Sequence, residues 1–342
     1  MGARPLSSAH ASGAGQRPWS VFRRLAPRYQ IVVACFLATF VAYVERVGFS
    51  IAFTEIAKSA GAGEALKGAV LSAFYWGYGV SQIPGGWAAQ IYGGRIMLVI
   101  SFALWSIASV LTPGSLAGGT RGVVAARVCV GVAQGLLIPA VHTVLSQPSP
   151  PAPARPTSVA RKGRTAPTPW RRMLRSPAVW AIVANNFAFH YAFYVVMNWM
   201  PTYFSAVLKR DLSDLGPIKA LPYLAMFLTS NAGGWAGDWL INRRGLSVAT
   251  ARKAVNTAGM LASAAALVVM PSAQGVWGGV LLSTATLGAL GFSRGGFSVN
   301  HMDIAPKYAG IVMGLSNTAG AWQGQEASNA AGSCEFLRKT KL

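Results

Sequence analysis

Arginine side chains inside long apolar stretches are the residues of this sequence best suited to chemistry. Arg46, Arg127 and Arg294 each lie within or beside a run of mostly apolar residues. An arginine at the centre of a membrane helix costs at least about 2.5 to 3.5 kcal/mol on insertion scales. Each therefore needs an acidic partner, a water-filled cavity or an anionic ligand. Structural pairing and anion binding stay open as interpretations of all three.

One helical face carries Arg46 together with other polar residues. Polar side chains recur there every three or four positions, at Thr39, Tyr43, Arg46, Ser50 and Thr54. This spacing places them on one face of a helix, which we expect to line a central cavity, with Tyr43 and Arg46 binding substrate. Glu45 points about 100° away. We predict that it neutralises either Arg46 or a group on a neighbouring helix.

A second polar stripe has a four-residue spacing, at Asn186, His190, Tyr194 and Asn198. It predicts a helix face turned toward the cavity or another helix, with Asn186 and Tyr194 as candidate substrate ligands and His190 in coupling. Further along, His301 and Asp303 lie near a helix end, seven residues or more beyond Arg294. Because imidazole titrates near neutral pH, His301 is a candidate proton relay. A purely structural role stays open for Arg294 and both histidines.

Composition indicates a membrane protein. Of the 342 residues, 53% are hydrophobic and 11% are charged, and the mean hydropathy is +0.40. The net charge of +21 lies in short segments between apolar runs, which is typical of cytosolic loops and disfavours nucleic acid as a partner. The three cysteines are too scattered for a disulfide framework. Since the sequence has no GxxxxGK[ST] loop, nucleophile elbow or clustered metal ligands, we predict no enzyme, cofactor or metal.

The elements that must position these residues are membrane helices. A span needs about 20 mostly apolar residues. On that template we predict about nine spans, near 31–53, 69–90, 96–112, 123–145, 178–206, 219–241, 255–271, 275–300 and 308–324. The basic loops alternate along the chain and place the tail over 1–30 in the cytosol. That tail is also open to interpretation as an organelle transit peptide.

A proline-rich basic stretch separates two groups of spans. From Pro148 to Pro169 the sequence is PSPPAPARPTSVARKGRTAPTP, which prevents a packed helix. We predict a disordered cytosolic linker over 148–177. It divides a first half over 31–147 from a second half over 178–324, and a divergent tail follows over 325–342.

The two halves share a motif. Gly85–Arg95 reads GGWAAQIYGGR and Gly233–Arg244 reads GGWAGDWLINRR, which indicates a parallel internal repeat. The motif resembles the signature loop of the major facilitator superfamily, in which an acid at the helix end pairs with arginine. The resemblance implies a gating role for Asp238 and Arg95. Gln90 replaces the acid in the first copy, which puts that pairing in doubt.

Longer strings narrow the resemblance. They are YVERVGFS (43–50), FYWGYGVSQIPGGW (74–87), NWMPTYF (198–204) and NHMDIAPKYAGIVMGLSNTAG (300–320). These resemble the anion carriers grouped with vesicular glutamate transporters, sialin and the plant phosphate transporter 4 proteins, most of all the plant Golgi-type members. The resemblance implies an all-α polytopic membrane helix bundle with two pseudo-symmetric halves. It also implies a secondary carrier that moves a small anion with H⁺ or Na⁺.

The same resemblance assigns roles to individual residues. It makes Arg127 the arginine that binds the substrate anion, and places Gln134 where glutamate carriers have a glutamate linked to proton coupling. A glutamine cannot titrate, so another group must carry any proton. Phe189 stands where glutamate carriers have an arginine, which leaves a dicarboxylate one anchor fewer. These departures favour inorganic phosphate as the substrate.

Two interruptions set this chain apart from the family pattern of twelve spans. The resemblance stops at Gln147, resumes near Trp170 and stops again after Gly320, so spans five, six and twelve of the pattern are missing. An incomplete bundle of about nine spans, expected to be monomeric, follows. A truncated, non-transporting isoform is the alternative function. We expect a Golgi or other endomembrane location, with the plastid envelope as the alternative.

Overall fold

A computed structural model describes residues 26–59, 64–115, 119–146, 168–206, 209, 216, 218, 220–273 and 275–323. Its helices are α1 Pro27–Ser59, α2 Glu64–Tyr92, α3 Gly94–Ser115, α4 Gly119–Gly135, α5 Leu137–Leu145, α6 Trp170–Leu174, α7 Pro177–Ala206, α8 Leu221–Asn242, α9 Val248–Val269, α10 Gly275–Ile304 and α11 over 309–323. The described residues contain no strand. The predicted all-α class is confirmed.

Each of the nine predicted spans coincides with helix in the structure. Six stretches are long and apolar enough to cross a membrane: Tyr29–Arg46, Gly94–Gly114, Gly119–Leu145, Pro177–Met197, Val248–Ser272 and Gly275–Ile304. The helices α2, α8 and α11 are outside that set. Glycine and polar residues lower the hydropathy of α2 and α8, and the described part of α11 has only 15 residues. The chain is an integral, multi-pass membrane protein.

The fourth predicted span lies within one apolar stretch, Gly119–Leu145, which a single turn residue, Leu136, divides into two helices. The helix α4 ends at Gly135 and α5 begins at Leu137. Pro139 has no backbone N–H, so it cannot donate to the carbonyl of Gly135, four residues earlier, and the helix breaks there.

Corresponding helices pack in the same way in the two halves. The helix α2 packs extensively against α4, as α8 does against α10, and α3 and α9 lie beside those pairs. Glycines permit the close approach, because a Cβ on Gly131 would overlap the carbonyl oxygen of Phe74 and one on Gly233 would overlap that of Phe292. The internal repeat is therefore visible in the packing.

The two halves meet where α11 crosses α2. The Asn317 amide donates to the Tyr78 hydroxyl at 2.9 Å, and the Thr318 hydroxyl donates to the Gly79 carbonyl at 3.2 Å. Nearer the end of α2, a Cβ on Gly86 would overlap the Gly310 backbone. This contact joins helices far apart in sequence and encloses one side of the space between the halves.

Most of the predicted linker over 148–177 lies outside the described residues, as do the tails over 1–25 and 324–342. From Thr168 onward the chain is described, and α6 forms directly after Pro169. Met173 is buried against Ile311 and Val312 of α11. The last part of the predicted linker is therefore helical and packed, since the run of prolines has ended.

Candidate functional site

A cavity of about 60 Å³ lies between the two halves. Its polar and charged lining comes from α1, α2, α7, α10 and α11, and consists of Tyr43, Arg46, Tyr78, Asn186, His190, Tyr194, Arg294, Ser298, His301 and Asn317. A single water needs roughly 10–15 Å³ of such space, so the cavity has room for one small ion with little else. None of the lining residues is an Asp or a Glu. Seven of the thirteen residues predicted as substrate, coupling or gating sites line this cavity: Tyr43, Arg46, Asn186, His190, Tyr194, Arg294 and His301.

Arg46 lies inside an aromatic enclosure. Its guanidinium carbon is 4.4 Å from the ring centroid of Phe74, 4.9 Å from that of Tyr78 and 5.1 Å from that of Tyr43. Its Nη2 donates to the Gln134 side-chain oxygen at 3.3 Å, and its buried Nε has no hydrogen-bond partner among the described residues. No described carboxylate pairs with Arg46. The Arg46 guanidinium therefore lies against three aromatic rings, and no carboxylate of the described residues neutralises its charge.

Arg127 is in a different electrostatic state, because its Nη1 donates to Glu45 Oε1 at 3.0 Å. The other carboxylate oxygen of Glu45 accepts from the Gln134 amide at 2.8 Å. Glu45 thus neutralises the neighbouring helix α4 rather than Arg46, which was the second of the two predicted arrangements. Arg127 is only 2% exposed and does not line the cavity.

Gln134 connects the two arginine environments. Its oxygen accepts from Arg46 while its nitrogen donates to Glu45. The residue is 1% exposed, so its amide is committed to these two partners. An amide can serve a cation and an anion at once, since it has both an acceptor and donors.

The predicted stripe on α7 faces the cavity through Asn186, His190 and Tyr194. Asn186 is 1% exposed, and its side-chain nitrogen has no hydrogen-bond partner among the described residues. His190 Nδ1 lies 2.8 Å from the Asn186 carbonyl oxygen, so this nitrogen donates. The side chain of Asn198, the last member of the stripe, lies outside the described residues.

Arg294 reaches the same cavity from α10. Its guanidinium carbon is 5.6 Å from the ring centroid of Phe189. Phe189 stands at the position where, by the resemblance, glutamate carriers have an arginine. The guanidinium of Arg294, from α10, lies beside that position. No described carboxylate pairs with Arg294.

His301 and Asp303 are close in sequence but lie in different surroundings. His301 is fully buried, lines the cavity and contacts Ser316 of α11. Asp303 accepts from Arg252 Nε of α9 at 3.0 Å. Asp238 pairs with the same arginine at 3.7 Å, so Arg252 links the ends of α8 and α10.

The first copy of the repeat motif has no such link. Arg95 is exposed and has no carboxylate partner among the described residues. Gln90, at the position of Asp238, accepts from the Thr168 hydroxyl at 3.5 Å. This arrangement agrees with the expectation that replacing the acid by Gln90 puts the pairing with Arg95 in doubt.

Several residues of the site have no signal in spacing or charge. Tyr78, Asn317, Ser298 and Ser316 reach it because two helices far apart in sequence cross there. Arg252, near the start of α9, belongs to a basic cluster that the charge pattern marked only as cytosolic. Among the described residues, no group of three or more His, Cys, Asp or Glu side chains could hold a metal ion.

The fold and the site together define a polytopic membrane helix bundle with a positively charged cavity between two repeated halves. The family model described as the Major Facilitator Superfamily matches residues 35–161 and 147–324. The chain belongs to this superfamily.

Comparison with known proteins adds plant relatives. The chain is 42% identical to "Probable anion transporter 6" of Oryza sativa subsp. japonica, over 87% of this chain and 86% of that protein. It is 42% identical to "Probable anion transporter 5" of Arabidopsis thaliana, over 92% and 89%. It is 30% identical to "Sodium-dependent phosphate transport protein 1, chloroplastic" of Arabidopsis thaliana, over 92% and 75%.

The first of these alignments is longer than the part of this chain that it uses. It runs over 368 positions, whereas 87% of 342 residues is about 298. About 70 residues of the rice relative are therefore aligned with gaps in this chain. That length is enough for two membrane spans with their loops.

Proposed function

We propose that this protein is a secondary active carrier of small anions and that inorganic phosphate is its main substrate. It works by alternating access, with H⁺ or Na⁺ as the coupling ion. The names of the relatives support anion transport, and that of the chloroplast relative supports phosphate. The arrangement that carries the proposal is the cavity lined by Arg46 and Arg294, neither of which has a carboxylate partner in the described part of the chain.

Two lining residues of the cavity carry buried hydrogen-bond donors without partners among the described residues. Arg46 Nε and Asn186 Nδ2 are buried donors without partners among the described residues. A buried unsatisfied polar group costs about 1–3 kcal/mol. An oxyanion between the halves would accept from these donors and offset two positive charges. Guanidinium groups suit phosphate because they donate two parallel hydrogen bonds.

The role of Arg127 in this proposal differs from that of Arg46. Arg127 keeps the Glu45 carboxylate neutralised and away from the cavity, so that Glu45 does not repel the substrate. Arg46 and Arg294 then contact the anion directly. In the proposed cycle the halves rock about this central site.

The experiment is uptake of radiolabelled phosphate by vesicles that contain the purified chain. We expect uptake that unlabelled phosphate inhibits more strongly than glutamate or ascorbate does. Arg46→Ala and Arg294→Ala should each abolish most of it. Arg121→Ala is the matched control, because Arg121 is exposed at the start of α4 and does not line the cavity. Equal uptake by all three variants would contradict the proposed site.

A second candidate function is that of a shortened, non-transporting form. The alignment supports it, because about 70 positions of the rice relative have no counterpart here. The two candidates differ in one measurement. Chain-dependent phosphate exchange would exclude the non-transporting form, whereas exchange that appears only after the missing stretch is restored from the relative would support it.

We propose the Golgi or another endomembrane as the location, with the plastid envelope as the alternative. The chloroplast relative is 30% identical, and the two anion transporters at 42% identity carry no organelle in their names. A fluorescent fusion at the C-terminus, imaged against Golgi and plastid markers, decides between the two membranes.

A further inference from the structure

His301 occupies a buried position at the boundary between the two halves. It is fully buried, and its ring centroid is 5.4 Å from that of His142 of α5, at 71° between the ring planes. Both of its ring nitrogens have hydrogen-bond partners. Nδ1 lies 3.0 Å from the Ser298 carbonyl oxygen, and Nε2 lies 2.7 Å from the Ser316 hydroxyl oxygen.

These partners fix part of the protonation pattern. A carbonyl oxygen only accepts, so Nδ1 carries a hydrogen and donates to Ser298. A hydroxyl both donates and accepts, so Nε2 is free to exist with or without a hydrogen. In the neutral ring Nε2 accepts from the Ser316 hydroxyl.

The Ser316 hydroxyl has a second acceptor within reach. Its oxygen lies 3.1 Å from the Met313 carbonyl oxygen of its own helix. When Nε2 is protonated, it donates to the Ser316 oxygen, and the hydroxyl hydrogen turns to Met313. The site therefore satisfies both ring nitrogens of His301 in both charge states.

We propose that His301 binds the coupling proton and that Ser316 is the positioning residue that accommodates its two charge states. This inference rests on the proposed function, since the coupled substrate is the anion in the adjoining cavity. The proton comes from water on one side of the membrane, binds to Nε2 and is released to water on the other side.

The charges around His301 explain why proton and anion would travel together. Arg294 lies on the same helix, Arg46 comes from α1, and the uncharged groups are His142 from α5, His190 and Tyr194 from α7, and Tyr43 and Tyr78 from α1 and α2. The helix α11 contributes no titratable residue. Asp303 faces Arg252 instead.

A proton on His301 adds a third positive charge to a cavity lining without a carboxylate. Burying an uncompensated charge is costly, and a bound oxyanion offsets that cost. By thermodynamic linkage, proton binding then strengthens anion binding by the same factor as the anion strengthens proton binding. Gln134 cannot titrate, and Glu45 is paired with Arg127 and does not line the cavity.

The test separates coupling from transport. Vesicles with the full chain are assayed for accumulation of labelled phosphate driven by an acid exterior, and for phosphate counterflow without a pH gradient. His301→Gln should lose the gradient-driven accumulation, whereas Ser316→Ala should keep counterflow, because Ser316 does not line the cavity. Ser316→Ala should weaken proton binding by roughly tenfold, through loss of a hydrogen bond to a charged group, and shift the accumulation to lower pH.

Ser283→Ala is the matched control, since Ser283 is also buried, on α10, and donates to the carbonyl of its own helix at 2.7 Å. It should keep both activities. Gradient-driven accumulation at the wild-type level and pH in His301→Gln or Ser316→Ala would overturn the proposal. If His301→Gln fails to fold, as a lower unfolding temperature would indicate, the Ser316→Ala profile decides.

A second measurement does not depend on transport. Nitrogen-15 labelled histidine in the purified chain gives signals from the four histidines, assigned with His→Gln variants. We expect the His301 ring to take up a proton when phosphate is added between pH 5 and 7, and Ser316→Ala to reduce that uptake. A His301 ring that stays neutral with saturating phosphate would overturn the inference. Absence of counterflow in the wild-type chain would instead count against the proposed function.

Discussion

The Arg127 guanidinium donates to the Glu45 carboxylate at 3.0 Å across α1 and α4. The adjacent residue on α1, Arg46, has no such partner among the described residues. Glu45 is paired and Arg46 is not, although they are adjacent in sequence, because consecutive residues on a helix point about 100° apart. One side of α1 neutralises charge inside the first half, and the other presents charge to the cavity.

The Glu45–Arg127 pair gives a prediction about charge balance. Arg127→Gln leaves the Glu45 carboxylate without its ion-pair partner. Because the Glu45 side chain is 21% exposed, the cost should be less than the roughly 3–5 kcal/mol typical of breaking a fully buried pair. We expect a lower unfolding temperature and loss of phosphate uptake. The double variant Glu45→Gln/Arg127→Gln should recover much of both, because neither member of the pair is then left charged without the other. If the double variant is as defective as Arg127→Gln, Arg127 contacts the substrate directly.

Arg46 gives a prediction about the geometry of anion binding. Arg46→Lys keeps the charge but loses the planar pair of donors and most of the stacking on Phe74. Losing hydrogen bonds to a charged group should raise the KM for phosphate roughly 10- to 100-fold. Uptake assayed over a range of phosphate concentrations measures the shift. A KM equal to that of the wild type would place Arg46 outside the substrate contacts.

Arg252 gives a prediction about the link between α8 and α10. Asp303 is 28% exposed and 3.0 Å from Arg252, whereas Asp238 is 64% exposed and 3.7 Å away. An exposed pair is worth about 0–1 kcal/mol, so Asp238→Asn should change the unfolding temperature little. Asp303→Asn should lower it more, and Arg252→Ala most, because both carboxylates then lose their partner. Thermal unfolding in detergent gives the order, and an equal effect of the two aspartate variants would contradict it.

The sequence predicted the spans well because each depends on local composition. Nine apolar stretches coincide with helices, and the matching glycine motifs correctly indicated two repeated halves. The break between α4 and α5 was missed, although Pro139 is its visible cause. The last part of the predicted linker forms α6, since its packing depends on Ile311 and Val312, far away in sequence.

For the candidate site, helical spacing placed Tyr43, Arg46 and the α7 stripe on the faces that meet the cavity. Helical spacing does not show which neighbouring helix a given side chain of α1 faces. The pairing of Glu45 with Arg127 rather than Arg46 therefore needed the structure. The contacts of Tyr78 with Asn317 and of His301 with Ser316 likewise depend on how α11 crosses the bundle.

Two glycines in equivalent positions of the repeat motif have different surroundings. A Cβ on Gly86 of α2 would overlap the Gly310 backbone of α11, whereas one on Gly234 of α8 would meet no atom of a described residue within 4 Å. The first half thus receives a helix on this face of its motif, and the matching face of the second half receives none among the described helices.

This difference predicts opposite effects of the same substitution. Gly86→Ala should separate α2 from α11 and destabilise the chain by about 1–3 kcal/mol through overpacking. Gly234→Ala should stabilise it by about 0.5–1 kcal/mol, because alanine loses less backbone entropy in a helix. The unfolding temperatures of the two variants in one detergent provide the measurement. If Gly234→Ala is as destabilising as Gly86→Ala, another helix covers this face of α8. The anion cavity would then be enclosed by a helix on both halves.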